Sequence, residues 1–398
     1  MSTTFAELQL SEPLLQVLSE RGMKKPTPVQ AEAIPAILSG KDALVESPTG
    51  TGKTLAYLLP LLSRWDAASK ELQVLILAPT HELVMQIARE AETLLAKTGG
   101  SVVPIIGGVD PKRQLERLKK HPSVIAATPG RLLELIEQRK VKIHTVKTVV
   151  IDEADRMLDQ GFFGPVQEVL KRTMRDTQRL FFSATLPQAI VGMVEPLVHQ
   201  PVVIRAKAPE NGHGVMHFYM VSEDRKKVDT LRRLLRLVNA KASIVFVNEI
   251  ERVDEIVSKL KYHHLECRLL HRDASKEERA LTLQQFRAGK FPVLITTDIA
   301  ARGIDIQGVE CVVHFDPAAD ADAYVHRSGR TGRMGAAGLV FSIITPQERF
   351  IIRKFAKQTG ISIEEKAMSH GTLVDPQELR RPKPGTKPIH KKSRFGTK

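Results

Sequence analysis

Short apolar runs alternate along the chain with longer stretches in which apolar residues recur at helical spacing. The short runs are typical of strands buried on both faces, and the longer ones of amphipathic helices. We predict strands at Asp42–Glu46, Gln73–Ala78, Ser123–Thr128, Thr148–Asp152, Leu180–Ala184, His217–Val221, Ser243–Val247, Val293–Thr297, Cys311–Phe315 and Leu339–Ile343. Helical patterns between them include Glu82–Leu95, Gln114–Lys119 and Arg225–Leu237. This alternation predicts an α/β protein with parallel sheets covered by helices on both faces.

The strand–helix alternation is interrupted near the middle of the chain, where a proline and two glycines stand among few apolar residues. Such a composition is typical of a linker. We therefore predict an N-terminal domain at residues 1–206, a linker at 207–214 and a C-terminal domain at 215–368. The remaining residues, 369–398, are rich in Lys, Arg and Pro without apolar periodicity, and we predict a disordered basic tail.

The charge of the chain indicates a polyanionic partner. Its 398 residues include 59 Lys and Arg against 45 Asp and Glu, which gives a formal net charge of +14. Nucleic acid is the simplest partner for such a surface, although a merely soluble basic protein would have the same balance.

Two cysteines, Cys267 and Cys311, occur in apolar, strand-like surroundings, and we expect both to be buried and reduced. The N-terminus lacks the basic region and apolar core of a secretory signal. No uncharged apolar run approaches the roughly 20 residues of a membrane helix. We therefore expect a cytoplasmic protein without membrane contact, and a monomer, since no heptad run stands out.

Residues 47–54, with the sequence SPTGTGKT, have the pattern of a nucleotide-phosphate loop. A strand candidate precedes them and the apolar run Leu55–Leu62 follows, as such a loop requires. Its two glycines allow backbone N–H groups to turn around phosphate oxygens at the N-terminus of a helix. Lys53 would then contact the phosphates and Thr54 would help to hold magnesium. Ser47 stands where the usual pattern has glycine.

The apolar strand candidate at 148–152 ends in Asp152, followed by Glu153. An aspartate at the carboxyl end of a strand could reach magnesium, and the adjacent glutamate could orient or deprotonate the attacking water. Helix N-capping is the alternative role for acidic residues after a strand. Together with the phosphate loop, the pair indicates an NTPase.

Residues 326–333, with the sequence HRSGRTGR, place Arg327, Arg330 and Arg333 at every third position among small residues. The planar, permanently charged guanidinium is suited to phosphate. Arginines supplied by the second half of the chain would make hydrolysis depend on domain closure. A solvated basic turn is the alternative.

These segments resemble, in their order, the motifs of DEAD-box RNA helicases. The resemblance covers roughly residues 5 to 360, and the chain resembles a minimal bacterial-type member with a short basic tail. The matching sequences are GMKKPTPVQ at 22–30, SPTGTGKT at 47–54, DEAD at 152–155, SAT at 183–185, TDIAARGID at 297–305 and HRSGRTGR at 326–333.

The resemblance implies two RecA-like domains that bind ATP, with Mg2+, and RNA across the cleft between them. It implies that Gln30 reads the adenine edge, which favours ATP over GTP, and that Phe5 packs on the adenine. Asp305 matches a residue at the ribose, and Thr27 one that supports the phosphate loop. The implied nucleotide contacts are Phe5, Lys25, Gln30, Ser47, Thr49, Gly50, Thr51, Gly52, Lys53, Thr54, Asp305, Arg330 and Arg333.

The same resemblance implies coupling and RNA-binding residues. Asp155, Ser183, Thr185 and His326 match residues that link hydrolysis to strand separation. The implied RNA contacts are Pro79, Thr80, Gly107, Gly108, Thr128, Gly130, Arg131, Asn248, Arg279, Thr297 and Arg302. Such sites bind the backbone through hydroxyls, N–H groups and arginines, so little sequence specificity is expected, and contacts to the 2′-OH would favour RNA over DNA.

Three residues depart from the family's pattern. His81 replaces the usual Arg, Arg272 stands where glycine is usual, and Lys276 where Gln is frequent. None belongs to the ATP-hydrolysing set, so they concern RNA affinity rather than chemistry. The predicted function is an RNA-stimulated ATPase that locally unwinds short duplexes. An ATP-gated RNA clamp shares the same motifs, whereas Gln30 and the distant arginine segment argue against a GTPase or small-molecule kinase.

Overall fold

A computed structural model describes residues 4–48, 50–159, 162–206, 214–249, 252–271, 274–301, 308–332 and 336–379. The N-terminal half contains strands β1 (Ala43–Glu46), β2 (Val74–Leu77), β3 (Val102–Ile105), β4 (Val124–Ala127), β5 (Thr148–Asp152), β6 (Gln178–Ser183) and β7 (Val202–Arg205). Its helices are α1 (Glu12–Glu20), α2 (Pro28–Leu38), α3 (Lys53–Ser63), α4 (His81–Leu95), α5 (Pro111–Leu118), α6 (Pro129–Glu137), α7 (Ala154–Asp159), α8 (Phe163–Lys171) and α9 (Gln188–Val194).

The C-terminal half repeats this alternation. Its strands are β8 (Val215–Val221), β9 (Ser243–Phe246), β10 (Cys267–Leu270), β11 (Val293–Thr296), β12 (Cys311–His314), β13 (Gly338–Ile344) and β14 (Ile363–Glu365). Its helices are α10 (Lys227–Val238), α11 (Val253–Tyr262), α12 (Lys276–Arg287), α13 (Asp298–Ala301), α14 (Ala321–Ser328) and α15 (Arg349–Thr359). Short 3₁₀ helices lie at Phe5–Leu8, Glu195–Leu197, Asp224–Lys226 and Pro346–Glu348.

Each half contains a seven-stranded sheet in which every neighbouring pair is parallel. The strand order is β3-β4-β2-β5-β6-β1-β7 in the first sheet and β10-β11-β9-β12-β13-β8-β14 in the second. The predicted α/β class with mainly parallel sheets is therefore confirmed, and all ten predicted strands are present.

Successive strand residues pack into different cores on the two faces of each sheet. In β1, Ala43 and Val45 join a cluster with α1–α4, whereas Leu44 joins the opposite cluster with α6, α8 and α9. In the second half, α10 and α11 cover one face, and α12, α14 and α15 cover the other. Because both faces are covered, the central strands are predominantly apolar. Cys267 and Cys311 are free thiols buried in one of these cores, as expected.

The ordered chain extends beyond the predicted start of the tail. A hairpin of β15 (Ala367–Ser369) and β16 (Thr372–Val374) is followed by the short helix α16 (Pro376–Leu379). Met368 and Leu373 pack against the core under α10 and α11. Because these apolar side chains hold the hairpin on the domain, the prediction of a disordered tail from residue 369 is wrong for residues 369–379. Residues 380–398 and most of the expected linker, 207–213, lie outside the described residues.

Candidate functional site

The phosphate loop connects β1 to α3 at the carboxyl edge of the first sheet. Gly50 and Gly52 have φ angles of 81° and 93°, in the left-handed region that favours glycine. A Cβ on Gly52 would also lie 2.4 Å from Gln30 Nε2, so a side chain at this position would have to displace the Gln30 carboxamide. Ser47 Oγ and Thr51 Oγ1 are hydrogen-bonded at 2.7 Å within the loop. Thr49 lies outside the described residues.

Lys53, the first residue of α3, turns its ammonium back onto the loop. Its Nζ donates to the carbonyl oxygens of Ser47 (2.5 Å) and Pro48 (3.3 Å). Burial lowers the pKa of Lys53, while the neighbouring Asp152 raises it. The ammonium therefore lies beside the backbone that forms the anion cradle, on a helix whose N-terminus favours negative charge.

Asp152 ends β5 and is almost completely buried, with 3% of its surface exposed. Its Oδ2 accepts a hydrogen bond from the Tyr57 hydroxyl at 2.9 Å, and its Oδ1 accepts one from the Glu153 N–H at 2.9 Å. Burial raises the pKa of Asp152 to about 6, against the opposing charge of Lys53. A carboxylate whose charge is so poorly solvated favours a bound cation.

Glu153 has a φ of 51°, which is uncommon for a residue other than glycine. This backbone conformation turns its N–H back to Asp152 and starts α7 at the next residue. The Glu153 carboxylate pairs with Arg156 at 3.1 Å. Strained backbone of this kind concentrates at functional sites.

Asp155, on the first turn of α7, is the centre of a polar cluster that joins the two halves. Its Oδ2 accepts from the backbone N–H groups of Ala184 (3.2 Å) and Thr185 (3.3 Å), and its N–H donates to Ser183 Oγ (3.1 Å). The same oxygen lies 3.6 Å from Nε2 of His326 on α14 in the C-terminal half. Burial pushes the pKa of Asp155 upward, but His326, Lys53 and Ser183 together hold that pKa below its ordinary value.

Two arginines of the segment, Arg327 and Arg330, are buried and line the same cavity, but Arg327 is bound to partners of its own half. Arg327 is buried, and its guanidinium donates to both carboxylate oxygens of Asp298 (2.7 and 2.6 Å) and to Asn248 Oδ1 (2.7 Å). Arg330 lines a cavity of about 200 Å³ between the halves, together with Asp155. Arg333 lies outside the described residues.

The other expected nucleotide contacts differ in how deeply they are buried and in their partners. Gln30 is fully buried, accepts from the Thr27 N–H at 2.9 Å and donates to the Gly52 carbonyl at 3.2 Å, so its carboxamide braces the phosphate loop. Phe5 is buried in the core with α1–α4, whereas Lys25 is exposed. Asp305 lies outside the described residues.

Several expected RNA contacts in the first half lie at helix N-termini on one edge of the sheet. Thr80 caps α4 and accepts from the Leu83 N–H at 3.2 Å, and Thr128 precedes α6. Helix N-termini present free N–H groups to anions. The remaining expected contacts of this half are buried Pro79, loop residues Gly107 and Gly108, exposed Gly130, and Arg131, which pairs with Glu134.

His81 follows this edge as the first residue of α4. A Cβ on Gly107 would lie 3.6 Å from its Nε2, so the imidazole lies beside the glycine loop. His81, which stands where the family has arginine, therefore lies among the expected RNA contacts.

In the second half, Arg279 bridges the two domains. Its guanidinium donates to the Ala300 carbonyl at 3.1 Å and lies 3.4 Å from the Glu82 carboxylate on α4. Asn248 donates to the Pro317 carbonyl and accepts from Arg327, so its amide is hydrogen-bonded to two residues of its own half. Thr297 caps the start of α13. Arg302 and Arg272 lie outside the described residues.

A cleft of about 1210 Å³ separates α4 and α5 from α12. Five arginines line it, against three acidic side chains: Arg89 from α4, Arg113 and Arg117 from α5, and Arg279 and Arg287 from α12. The excess of guanidinium groups favours a phosphate-bearing ligand. The cleft also contains His81, so it is continuous with the expected RNA contacts.

Comparisons with known proteins identify the family. The DEAD/DEAH box helicase model matches residues 27–192, and the helicase conserved C-terminal domain matches residues 226–335. The chain is 47% identical to the DEAD-box ATP-dependent RNA helicase CshC of Bacillus cereus, over 94% of this chain and 96% of that protein. The chain belongs to the DEAD-box ATP-dependent RNA helicases. The helicase is also 39% identical to CshA of Bacillus subtilis, over 90% of this chain and 73% of that protein.

Solved structures agree with the family. The helicase matches Saccharomyces cerevisiae Dbp5 bound to RNA and ADP BeF3 with a TM-score of 0.80 and 31% identity, over 91% of this chain and 95% of that one. The expectation of two tandem RecA-like domains is thereby confirmed. Within the described residues, no helix is both long and apolar enough to span a bilayer.

Two features of the helicase site were not predicted from its sequence. Tyr57 lies within an apolar run and has the pattern of a core residue, so only the structure shows its hydroxyl against Asp152. Arg327 shares the spacing of Arg330, and only the structure shows that its guanidinium is directed into the domain. No sequence pattern predicts either contact, because the partners are 95 and 29 residues apart along the chain.

Proposed function

We propose that this helicase couples ATP binding and hydrolysis to local, non-processive separation or remodelling of short RNA duplexes. The observation that carries the proposal is the polar contact between the halves at the acidic motif, where His326 Nε2 lies 3.6 Å from Asp155 Oδ2. Arg330 lines the same interdomain cavity. A site completed by residues of both domains makes hydrolysis depend on their closure.

The residues around the phosphate loop would perform the hydrolysis. Lys53 would exchange the loop carbonyls for the β- and γ-phosphates, and Arg330 would approach the same phosphates from the other domain. Glu153 would orient or deprotonate the attacking water. Its backbone strain and its ion pair with Arg156 support a fixed carboxylate position.

Thr54 and Asp152 fit a Mg2+ ion, because both offer the hard oxygen ligands that this ion takes alongside phosphates and water. They lie at the start of α3 and the end of β5, on the same edge of the sheet. Mg2+ would neutralise the charge that develops on the phosphates. The protein's part is to hold these oxygens on rigid elements.

RNA would bind through its backbone along the expected contacts and into the arginine-lined cleft. The helix N-termini that follow Thr80 and Thr128, and the guanidinium of Arg279, would offer donors to phosphate rather than to base edges. Residues 380–398, which contain eight Lys and Arg and no Asp or Glu, would add non-specific affinity. We propose that the helicase acts in this way as a monomer.

Steady-state ATP hydrolysis with and without saturating RNA tests the proposal. We expect RNA to stimulate hydrolysis strongly, and Lys53→Ala and Arg330→Ala to abolish that stimulation. Arg353→Ala, on the exposed surface of α15, is the matched control and should behave as wild type. Hydrolysis that ignores RNA and survives Arg330→Ala would contradict closure of a composite site.

An unwinding assay on a short duplex separates the helicase from an ATP-gated clamp. Local strand separation by wild-type protein supports the proposal, whereas tight ATP-dependent RNA binding without strand separation would favour the clamp. Glu153→Gln should bind ATP and RNA but turn over slowly, and so accumulate the closed complex. Wild-type turnover in that variant would remove Glu153 from its proposed role.

A further inference from the structure

Tyr57 occupies a fixed position one turn after Lys53 and Thr54 on α3. Its side chain is fully buried, and its ring packs edge-on against Phe182 with a centroid distance of 5.1 Å. The hydroxyl donates to Asp152 Oδ2 at 2.9 Å. Because the ring is held by the core, the position of the hydroxyl is set by the fold rather than by solvent.

Among the described residues, this hydroxyl is one of two groups that hydrogen-bond to the Asp152 carboxylate. The other is the Glu153 N–H, which donates to Oδ1 at 2.9 Å. Lys53, four residues before Tyr57, donates to the Ser47 carbonyl at 2.5 Å instead. Each carboxylate oxygen thus accepts a bond from a neutral donor and keeps a second lone pair.

The second residue proposed to hold Mg2+ lies on the same helix as this hydroxyl. Thr54 is three residues earlier on α3, so one helix carries both Thr54 and the hydroxyl that orients Asp152. Groups that orient metal ligands in this way typically change metal affinity 10- to 100-fold when removed.

We propose that Tyr57 is a positioning residue that holds Asp152 in the orientation that binds Mg2+ with the nucleotide. The inference rests on the proposed function, since it requires the Asp152 carboxylate to bind the ion. A buried tyrosine whose hydroxyl merely needs a partner is the competing explanation. That explanation predicts a loss of stability that does not depend on Mg2+.

Tyr57→Phe tests the proposal, because it removes the hydroxyl and keeps the ring. The measurement is the midpoint of thermal unfolding with ADP over a Mg2+ titration. We expect the Mg2+ concentration for half-maximal stabilisation to rise about tenfold or more. At saturating Mg2+ the stabilisation and the turnover number should approach those of wild type.

Tyr219→Phe is the matched control, because the Tyr219 hydroxyl donates to the Glu365 carboxylate at 2.9 Å in the other half of the chain. It should leave the Mg2+ dependence unchanged. A Tyr57→Phe protein with wild-type half-saturation, whether or not it unfolds earlier without Mg2+, would overturn the proposal. If wild type itself gains no stability from ADP with Mg2+, the proposed nucleotide site fails as well, and the two failures are distinguishable.

Discussion

Arg327 and Arg330 belong to the same regularly spaced arginine segment, but their replacement should have different effects. We expect a loss of stability for Arg327 and a loss of RNA-stimulated hydrolysis for Arg330. Arg327→Met keeps much of the aliphatic stem and removes the guanidinium. That group makes two hydrogen bonds to Asp298, one to Asn248 and one to the Asp316 carbonyl at 2.8 Å. It also lies over the Phe246 ring, 5.2 Å from its centroid.

The expected loss in free energy of unfolding follows from the burial of the Arg327–Asp298 ion pair. Removing one partner of a fully buried ion pair costs about 3–5 kcal/mol. The Arg327 side chain is 2% exposed but that of Asp298 is 35% exposed, so solvent screens part of the interaction and the lower end applies. A loss of about 3 kcal/mol should lower the unfolding midpoint of a domain of this size by roughly 6–12 °C.

Calorimetric unfolding and steady-state ATP hydrolysis, measured on both variants, separate the two roles. Arg327→Met should show the lower midpoint of the two, whereas Arg330→Met should lose roughly a thousandfold or more in RNA-stimulated hydrolysis. If Arg327→Met unfolds at the wild-type temperature while hydrolysis collapses, the guanidinium acts in catalysis and the reasoning from its buried contacts is refuted.

Three further perturbations follow from the geometry. Gly52→Ala should weaken nucleotide binding at least tenfold in a fluorescence titration, because the methyl group would lie against Gln30 Nε2 and strain the φ of 93°; wild-type affinity would contradict this. Burial lowers the pKa of His217 to about 4. As the pH falls below 6.5, this histidine is therefore protonated in the unfolded chain before it is protonated in the folded protein, and the free energy of unfolding should drop by about 2 kcal/mol between pH 7 and pH 5. His217→Gln should remove this drop in urea titrations. Replacing Arg89 and Arg117 with Glu should make the plot of log affinity for single-stranded RNA against log salt less steep by roughly 1.4. Replacing two lysines of α11 with Glu should leave that slope unchanged, because α11 and α12 cover opposite faces of the second sheet.

The sequence patterns predict the interior of each sheet better than its edges. The strands that were not predicted include the two outermost strands of each sheet: β3, β7, β10 and β14. β3 contains Pro104, which lacks the N–H that a central strand needs, and β7 is half exposed. Edge strands bury fewer of their side chains or carry residues that break an apolar run, so periodicity does not distinguish them from loops.

At the candidate site, motif order predicted which segments converge but not how each side chain is used. The segments around Asp155 and His326, separated by 171 positions (326 − 155), do come within contact distance. The amide oxygen of Asn248, for which the sequence predicts an RNA contact, accepts a hydrogen bond from Arg327, a partner that the motif pattern did not predict. Motif patterns specify residue type and spacing, whereas partner choice depends on the direction of each side chain in the packed domain.

The identical strand order of the two sheets makes the chain a structural repeat with unequal halves. In the first half, the helix after β1 begins with Lys53, and β5 ends in Asp152 near it. In the second half, the helix after β8 begins with Lys227, and Asp316 follows the equivalent strand β12. There the lysine and aspartate bond directly at 3.0 Å, with Lys227 2% exposed. An internal ion pair thus occupies, in the second half, the place that corresponds to the proposed nucleotide site of the first half. One architecture therefore occurs twice in the chain, once with this ion pair closing the position and once without it.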